Sequence, residues 1–487
     1  MSSPEITPPG LYASREPVFP RAVSGNFRTL KWVLMTLMLG VYYITPWLRW
    51  DRGPGMPDQA VLVDLANRRF YFFMIEIWPH EFYFVAGLLV MAGLGLFLFT
   101  SALGRVWCGY ACPQTVWTDL FLHVERFIEG DRNNQLRIHR APWSLNKLRL
   151  RLSKWIIWLA IAVATGGAWV FYFTDAPTLL ADLLTGQAHP VAYTTIAVMT
   201  ATTFFFGGFA REQICIYACP WPRIQAAMLD EDSLTVGYRE WRGEPRGKIA
   251  KGEPTKGDSP TAAKGDCIDC LACVNVCPMG IDIRDGQQLE CITCALCIDA
   301  CNDVMDKIGK PRGLIDYMAL KDEAAERAGA APKPVMKHIL RPRTMLYFTL
   351  WMGIGIALVV ALFMRSPLDV NVTPVRNPLF VQMSDGAIRN TYELRLRNKQ
   401  GEERQFTIRL AEGANQAPLT LTLEGVEGQQ VAVGADQMLI QRIYVTAPRG
   451  SEPAAGAREE IEIWVQDVES NARSVTDTVF NGTGARR

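Results

Sequence analysis

The chain has 487 residues, of which 49% are hydrophobic and 20% are charged, and its formal net charge at pH 7 is +1. This neutral balance carries no electrostatic footprint for nucleic acid, and the length indicates about three domains. All 12 cysteines lie between Cys108 and Cys301, in spaced motifs that leave none for a disulfide framework. That usage predicts a reducing compartment for this part of the chain.

Apolar runs of bilayer length follow a polar tail at residues 1–29. They predict about five crossings, four in a membrane domain at 30–210 and one at 345–364. The predicted spans are 30–47, 82–103, 155–173, 191–209 and 345–363. The apolar stretch 70–78 is too short to span and is predicted to lie in the membrane interface.

Lys and Arg are unevenly distributed among the connecting loops. Nine of them lie between Arg105 and Lys154, whereas the loop 174–190 has none. By the positive-inside rule, the tail and residues 211–344 face the cytoplasm, and residues 365–487 face the periplasm of a bacterium. The prediction is a multi-pass protein of the bacterial inner membrane, with the lipid bilayer as a partner.

One short motif, CxYACP, occurs twice, each time directly after a predicted crossing. Its cysteines are Cys108, Cys112, Cys215 and Cys219. Cysteines at i and i+4 share one face of a helix, so two packed crossings would gather four thiolates. Such thiolates suit copper in the +1 state, zinc or an iron–sulfur cluster, while plain helix packing is the alternative. His123 and Glu125 follow the first copy closely enough to approach this site.

The spacing CxxCxxCxxxC occurs twice within residues 265–318. The first run is Cys267, Cys270, Cys273 and Cys277, and the second is Cys291, Cys294, Cys297 and Cys301. This is the bacterial ferredoxin spacing for two 4Fe-4S clusters, in which the fourth cysteine of each run ligates the other cluster. We therefore assign Cys301 to the first cluster and Cys277 to the second. Paired zinc sites are the alternative, but zinc does not account for the tight triple spacing.

Changes in amino-acid composition along the chain indicate the remaining domain boundaries. Residues 211–264 read as a cytoplasmic segment and linker, rich in Gly, Pro and Lys toward its end, and residues 319–344 as a second linker. In residues 365–487, apolar and polar residues alternate at 392–397, 406–410, 419–423 and 461–465. These short strands predict a cysteine-free β-sandwich of immunoglobulin type. The predicted fold is a helical membrane bundle with an inserted α+β two-cluster ferredoxin and this C-terminal sandwich.

These motifs resemble those of the FixG/CcoG/RdxA family of cytochrome c oxidase accessory proteins. The resemblance rests on the doubled CxYACP, RGEPRG at 242–247, DGQQLECITCALCIDAC at 285–301, DKIGKPRGLIDY at 306–317 and the terminal sandwich. It covers nearly the whole chain. It implies an inner-membrane polyferredoxin required for assembling high-affinity C-type oxidases and thought to reduce copper from +2 to +1.

The resemblance and the thiol chemistry together predict an oxidoreductase, a cupric reductase. A cytoplasmic electron donor reduces the clusters, and copper is reduced at the four CxYACP cysteines and passed to a copper transporter or chaperone. The sandwich is expected to hold oxidase subunits, by fold analogy alone. Two alternatives stay open: an electron relay to or from the quinone pool, and a redox sensor whose clusters report oxygen.

Overall fold

The computed structural model describes residues 17–53, 56–248, 265–365, 368–399, 402–411, 419–435 and 437–486. The chain divides into two compact units. One comprises Met1–Leu48 and Gln59–Ala357, and the other comprises Arg49–Asp58 and Leu358–Arg487. The start of the predicted tail, 1–16, and most of the predicted flexible linker, 249–264, lie outside the described residues.

Helices dominate the first unit because its sequence is a succession of long apolar runs. In chain order they are α1 (Asn26–Ile44), α2 (Tyr83–Leu103), α3 (Val106–Tyr110), α4 (Pro113–Glu129), α5 (Arg132–Arg140), α6 (Leu145–Val170), α7 (Ala176–Thr185), α8 (Pro190–Phe205), α9 (Trp221–Met228), α10 (Glu240–Gly243), α11 (Ala272–Val276), α12 (Leu296–Lys307), α13 (Leu320–Arg327), α14 (Val335–Ile339) and α15 (Pro342–Phe363). Two π-helical turns, Phe206–Ala210 and Ile214–Ala218, follow α8.

Four helices in the described part of the chain are long and apolar enough to cross a membrane. They are α2, α6, α15 and the stretch Pro190–Ala210, in which the first π-helical turn extends α8. These match four of the predicted crossings. The remaining predicted crossing is α1, which forms a helix but is not among the four. Its exposed apolar residues lie along one stripe: Leu30, Val33, Leu37, Val41 and Ile44. That stripe suits a lipid-facing helix, and the crossing of α1 stays a prediction.

The first unit also contains five short strands: β1 (Val61–Asp64), β2 (Arg69–Phe72), β3 (Ile75–Ile77), β4 (Thr235–Tyr238) and β5 (Ile315–Met318). The first four lie before residue 265, where the sequence predicts no strands. The first three form an antiparallel sheet in the order β1-β2-β3. The apolar stretch 70–78 therefore forms strands, with Tyr71 and Ile77 buried and Phe72 exposed.

Segments predicted as linkers contribute regular structure to this unit. The strand β4, from the segment before the ferredoxin cysteines, pairs antiparallel with β5, with Val236 opposite Tyr317. Val236, Leu314 and Ile315 are buried in one core with Cys267. Burial of this short apolar face outweighs the polar composition, so α9, β4, α13 and α14 are ordered elements rather than free linkers.

The second unit is the predicted β-sandwich. Its elements are β6 (Leu368–Pro374), β7 (Val381–Gln382), β8 (Ile388–Asn398), β9 (Arg404–Leu410), β10 (Thr420–Leu423), β11 (Gln430–Val433), β12 (Met438–Ala447), α16 (Glu452–Ala455), β13 (Glu459–Asp467) and β14 (Arg473–Phe480). One sheet has the order β10-β12-β8-β6 with β7 beside β8, and the other has the order β11-β9-β13-β14. Alternate residues of β8, including Leu394 and Leu396, are fully buried, which confirms the predicted period of two.

Candidate functional site

The first CxYACP copy lies where the chain turns after α2. Gly104 ends this helix with a φ of 65°, and a Cβ there would lie 2.8 Å from the carbonyl oxygen of Leu234. Cys108 lies in α3, whereas Cys112 has an extended backbone and caps α4, which begins at Pro113. Proline is favoured there because it has no N–H group to leave unpaired. The two cysteines therefore flank a helix break instead of sharing one continuous helix face.

The second copy is also irregular. Cys215 lies in the π-helical turn Ile214–Ala218, and Cys219 ends that turn with an extended backbone, φ −79° and ψ 125°. Just before it, Arg211 has a φ of 38° between the two π-helical turns. Single π-helical turns are frequent at functional sites because they redirect side chains from the regular helical positions. Both copies thus present their cysteines from interrupted helices.

The structure brings the thiols of the two copies together. Burial, joined by the electrostatic neighbours Cys112 and Cys219, raises the pKa of the Cys108 thiol to about 11. Burial and the other three thiols raise the pKa of Cys215 to about 12. Cys108 also donates a hydrogen bond of 3.0 Å to Gln225 Oε1. Both thiols are therefore protonated near neutral pH, and a metal that binds them must displace those protons.

In the described residues, no three His, Cys, Asp or Glu side chains lie close enough together to hold a single metal ion. A cubane cluster has a different geometry, because each of its thiolates binds a different iron. The thiols within each group of cysteines therefore lie farther apart than the ligands of a closed zinc site.

The two ferredoxin cysteine runs fold into loops with the same unusual backbone. In the first run Asp269 and Leu271 have φ values of 53° and 56°, and in the second Thr293 and Ala295 have values of 55° and 59°. Residues other than glycine rarely adopt this left-handed conformation. Each pair flanks the second cysteine of its run, Cys270 or Cys294, so the backbone of both loops turns in the same way. Successive residues of right- and left-handed conformation direct their backbone N–H groups toward one point and form a concave anion-binding nest, which suits a thiolate-ligated cluster.

The structure places Cys301 beside the first three cysteines of the other run. Burial raises the pKa of the Cys301 thiol to about 12, and Cys273, Cys270 and Cys267 are its electrostatic neighbours. The helix α12, which carries Cys301, packs against α11, which carries Cys273. Cys270 is exposed, whereas the other three are buried. This grouping has the membership assigned to the first cluster, and the ligation itself stays a prediction.

The second group, Cys277, Cys291, Cys294 and Cys297, has no exposed cysteine. Burial raises the pKa of the Cys277 thiol to about 12, with Cys294 and Cys291 as its neighbours. Cys297 is a further neighbour of these three, and its pKa is raised well above the usual value, mainly by burial. All four line one cavity, which Cys273 of the first group also lines. A cavity walled by four thiols fits the second cluster, and the two groups adjoin through Cys273.

The first CxYACP copy packs directly on the loop of this second group. A Cβ on Gly109 would lie 2.7 Å from the Ile292 carbonyl oxygen and 3.0 Å from Cys294 Cα, so the contact requires glycine. Tyr110 donates a hydrogen bond of 3.0 Å to the Cys294 carbonyl oxygen. Cys108 shares a buried hydrophobic cluster with Ile292 and Cys294. The CxYACP thiols and the ferredoxin cysteines therefore belong to one continuous site.

Sequence reasoning missed the buried charges around this site. Arg28 of α1 contacts both Asp119 oxygens at 2.9 and 3.0 Å, and its backbone N–H donates to Asp299 Oδ2 at 2.8 Å. In the sequence, the sign of this buried pair is Asp119, an acidic residue beside the apolar residues of α4.

His123 and Glu125 have partners other than the thiols. The ring of His123 packs edge-on against Trp32, with 4.8 Å between the ring centroids. Glu125 Oε1 lies 2.9 Å from Lys154 Nζ and 2.7 Å from an Arg211 guanidinium nitrogen. These contacts place both residues in the packing of the membrane helices.

Family models match three parts of the chain. A 4Fe-4S dicluster domain matches residues 210–320, and a 4Fe-4S binding domain matches residues 84–129. The second match includes Cys108 and Cys112, so it favours the iron–sulfur alternative for those thiols. An IG-like fold at the C-terminal of FixG matches residues 358–483.

Whole-length relatives agree with these matches. The chain is 67% identical to Protein RdxB of Cereibacter sphaeroides over 484 residues, which cover 99% of this chain and 100% of RdxB. The chain belongs to the FixG/RdxA family. Protein RdxA of the same organism is 63% identical, covering 94% of this chain and 95% of RdxA. The nitrogen fixation protein FixG of Rhizobium meliloti is 53% identical, covering 98% of this chain and 94% of FixG.

The family and the 4Fe-4S matches identify the chain as a membrane iron–sulfur electron-transfer protein with an Ig-like C-terminal domain. A solved structure, that of the FixG-related protein from Vibrio parahaemolyticus, is 17% identical with a TM-score of 0.21. It covers 24% of this chain and 99% of its own.

Proposed function

We propose that this protein reduces copper from the +2 to the +1 state for the assembly of a high-affinity C-type cytochrome oxidase. The observation that carries the proposal is the direct packing of the CxYACP thiol site on the ferredoxin loop, where a Cβ on Gly109 would lie 3.0 Å from Cys294 Cα. A soft-thiol site beside an electron carrier is suited to reduce a metal ion that it binds.

The thiols supply the chemistry that favours the product. Thiolates bind copper in the +1 state in preference to the +2 state, so ligation by the CxYACP cysteines helps to drive the reduction. Because no three of these thiols lie close enough in the structure to share one metal ion, copper binding would draw them together. Each copper ion gains one electron. Because the Cys108 and Cys215 thiols have raised pKa values, copper binding releases their protons.

The ferredoxin loops supply the electron from the other side of the site. When bound, the two 4Fe-4S clusters act as one-electron carriers of low potential. Cys270 is exposed, and Cys294 is buried against the CxYACP motif. A cytoplasmic electron donor is therefore expected to bind near Cys270, and copper is expected to bind beyond Cys294.

We also propose a location and partners. The uneven distribution of Lys and Arg supports an inner-membrane protein with its N-terminus and ferredoxin loops in the cytoplasm and its sandwich in the periplasm. The exposed apolar stripe of α1 supports a fifth crossing. A copper transporter or chaperone would exchange copper with the thiols, and the sandwich would hold oxidase subunits, by fold analogy alone.

The test follows the visible absorbance of anaerobically purified, pre-reduced protein as one equivalent of copper in the +2 state is added. We expect prompt cluster reoxidation with formation of copper in the +1 state. Replacing the four CxYACP cysteines by serine is expected to slow both at least tenfold. Tyr217→Phe is the matched control, because it alters the second motif without removing a thiol.

Iron content distinguishes the assignments. The serine variant is expected to keep the iron of the wild type. A loss of iron would show that these cysteines hold an iron–sulfur cluster and would remove the copper site. Wild-type protein that is not reoxidised by copper would contradict the reductase and leave the quinone relay as the better description.

A further inference from the structure

A basic segment joins α5 to α6. Residues 132–154 contain seven Lys or Arg and no Asp or Glu. Two of the seven, Arg151 and Lys154, pair with Glu129 of α4. Within the described part of the chain, four others form no ion pair, and together we call them the basic surface: Arg137, Arg140, Lys147 and Arg149. Their positive charge is therefore available to an anionic partner.

The turn between the two helices is held in place by Lys147. Its Nζ donates hydrogen bonds to the carbonyl oxygens of His139 and Ala141, at 3.1 and 2.6 Å. The same ammonium lies 5.2 Å from the centroid of the Trp143 ring, and its backbone N–H donates to Ser144 Oγ at 3.2 Å. Trp143 is nevertheless 72% exposed. A tryptophan that is fixed but exposed beside a membrane-spanning helix is typical of the membrane–water interface.

The exposed apolar face of α6 begins at the first residue of the helix. Its members follow each other at intervals of three or four residues and so lie on one side: Leu145, Leu148, Leu152, Ile156, Leu159 and Val163. Arg149 lies between Leu148 and Leu152 in the chain and borders this apolar face. The 26 residues of α6 span about 39 Å, whereas the hydrocarbon core of a bilayer is about 30 Å thick. Because all the charged residues of α6 lie within 147–154, its first turns are expected at the level of the headgroups.

Two kinds of partner carry the required negative charge: a phospholipid surface and an acidic protein. The neighbouring apolar side chains favour the lipid. Leu145 is 86% exposed, and the face that it begins continues along a helix that is apolar enough to cross a membrane. Lys and Arg clustered beside the end of such a helix attract anionic headgroups, and Trp and Leu favour the same layer. Charge and apolar exposure therefore indicate one partner.

We propose that the basic surface binds the phosphate groups of anionic phospholipids, of the phosphatidylglycerol class, at the membrane surface. Trp143 and Leu145 lie among the same lipids, at the boundary between headgroups and acyl chains. The lipid holds the end of α5 and the start of α6 at the membrane. This binding involves neither copper nor the clusters, so its test is independent of the reductase proposal.

The test uses the full-length holoprotein in phosphatidylcholine nanodiscs that contain a trace of a photoactivatable lipid. The probe is either phosphatidylglycerol or phosphatidylcholine, with the same reactive group near the headgroup, and mass spectrometry measures the label on the segment 141–147. The lipid preference is the ratio of the two labels in one protein, so it does not depend on how each variant is digested. We expect the phosphatidylglycerol probe to label several-fold more. About 0.5 M salt is expected to remove most of this preference, because salt screens exposed charges.

Two triple variants with the same loss of charge locate the binding. The first removes the exposed cations of the basic surface and is expected to lower the preference about fivefold: Arg137→Gln, Arg140→Gln and Arg149→Gln. The matched control removes three exposed cations that belong to other elements and pair with carboxylates: Lys307→Gln, Arg312→Gln and Lys321→Gln. The control is expected to keep the preference of the wild type.

Iron content and melting temperature report folding of both variants. If the first triple variant does not fold, Arg149→Gln alone, beside the apolar face, is expected to lower the preference about twofold. Equal labelling by the two probes in the wild type overturns the proposal, as does an equal effect of the two triple variants. Loss of the preference on adding soluble glycerol phosphate overturns it in favour of a free-phosphate site. Binding of polyaspartate without any lipid preference overturns it in favour of an acidic protein.

Discussion

At the scale of one residue, Gly109 sets how closely the CxYACP motif approaches the ferredoxin loop. A methyl group at this position would overlap the Ile292 carbonyl oxygen at 2.7 Å, and close-packed backbone cannot absorb that overlap without moving. We therefore expect Gly109→Ala to increase amide hydrogen exchange in the loop around Cys294 several-fold. The control is Gly93→Ala in α2, where nothing lies within 4 Å. Equal exchange in both variants would show that the contact does not hold the loop.

Asp230 provides a pH-dependent contact beside the same unit. Burial raises its pKa, but hydrogen bonds from Arg341 and Arg343, each at 2.6 Å, outweigh this effect and lower the pKa to about 2. A carboxyl group with a lowered pKa stabilises the fold fully above its unfolded pKa of 3.8 and loses this contribution as the pH falls toward 2. We expect Asp230→Asn to lower the melting temperature equally at pH 8 and pH 5, with a shrinking difference below about pH 4.

The control for this prediction is another arginine-paired aspartate, Asp306. Its partner Arg312 also lowers its pKa, but both side chains are exposed. Exposed ion pairs contribute little to stability because water and salt screen them. Asp306→Asn is therefore expected to leave the melting temperature nearly unchanged. An equally large drop in both variants would refute the role of the Asp230 contacts.

At the scale of the elements, Arg28 holds three helices together. It lies in α1, forms a buried pair with Asp119 of α4, and donates from its backbone to Asp299 of α12. Removing one partner of a buried ion pair leaves the other charge desolvated. We expect Arg28→Ala to lower the free energy of unfolding by about 3 kcal/mol. Lys307→Ala, which breaks the exposed pair with Asp303, is expected to cost less than about 0.5 kcal/mol.

Thermal unfolding followed by tryptophan fluorescence measures both variants. A small effect of Arg28→Ala, similar to that of Lys307→Ala, would mean that Lys31, 4.0 Å from Asp119, compensates for the missing guanidinium. The connection through Arg28 explains why the predicted tail and the ferredoxin domain are parts of one compact unit.

At the scale of the whole molecule, the two units separate the metal chemistry from the sandwich. All the cysteines belong to the first unit, and the second has its own hydrophobic core around Tyr392 and Ile408. We expect a chain truncated after Arg365 to retain the full iron content and visible absorbance of the complete protein. Iron analysis of the two purified chains checks this. A loss of iron on truncation would show that the sandwich supports the cluster site.

The local patterns that predicted correctly all depend on short-range chemistry. The alternation in β8 identifies a strand because successive side chains point to opposite faces. The doubled cysteine spacing predicts 4Fe-4S domains, which the family match at 210–320 confirms. Two short stretches form strands that the sequence does not predict. The stretch 70–78 forms strands, while its placement in the membrane interface stays a prediction, and Thr235–Tyr238 is too short to stand out beside polar neighbours.

The sequence alone therefore determined the family, the iron–sulfur chemistry, four apolar spans and the sandwich, because each follows from residue type and spacing along the chain. Only the tertiary structure decided that Gly109 packs on the Cys294 loop, that Arg28 reaches Asp119, and that Glu125 pairs with Lys154 and Arg211. These contacts join residues far apart in the chain. Their energies arise from burial and close packing, which depend on neighbours that no local pattern specifies.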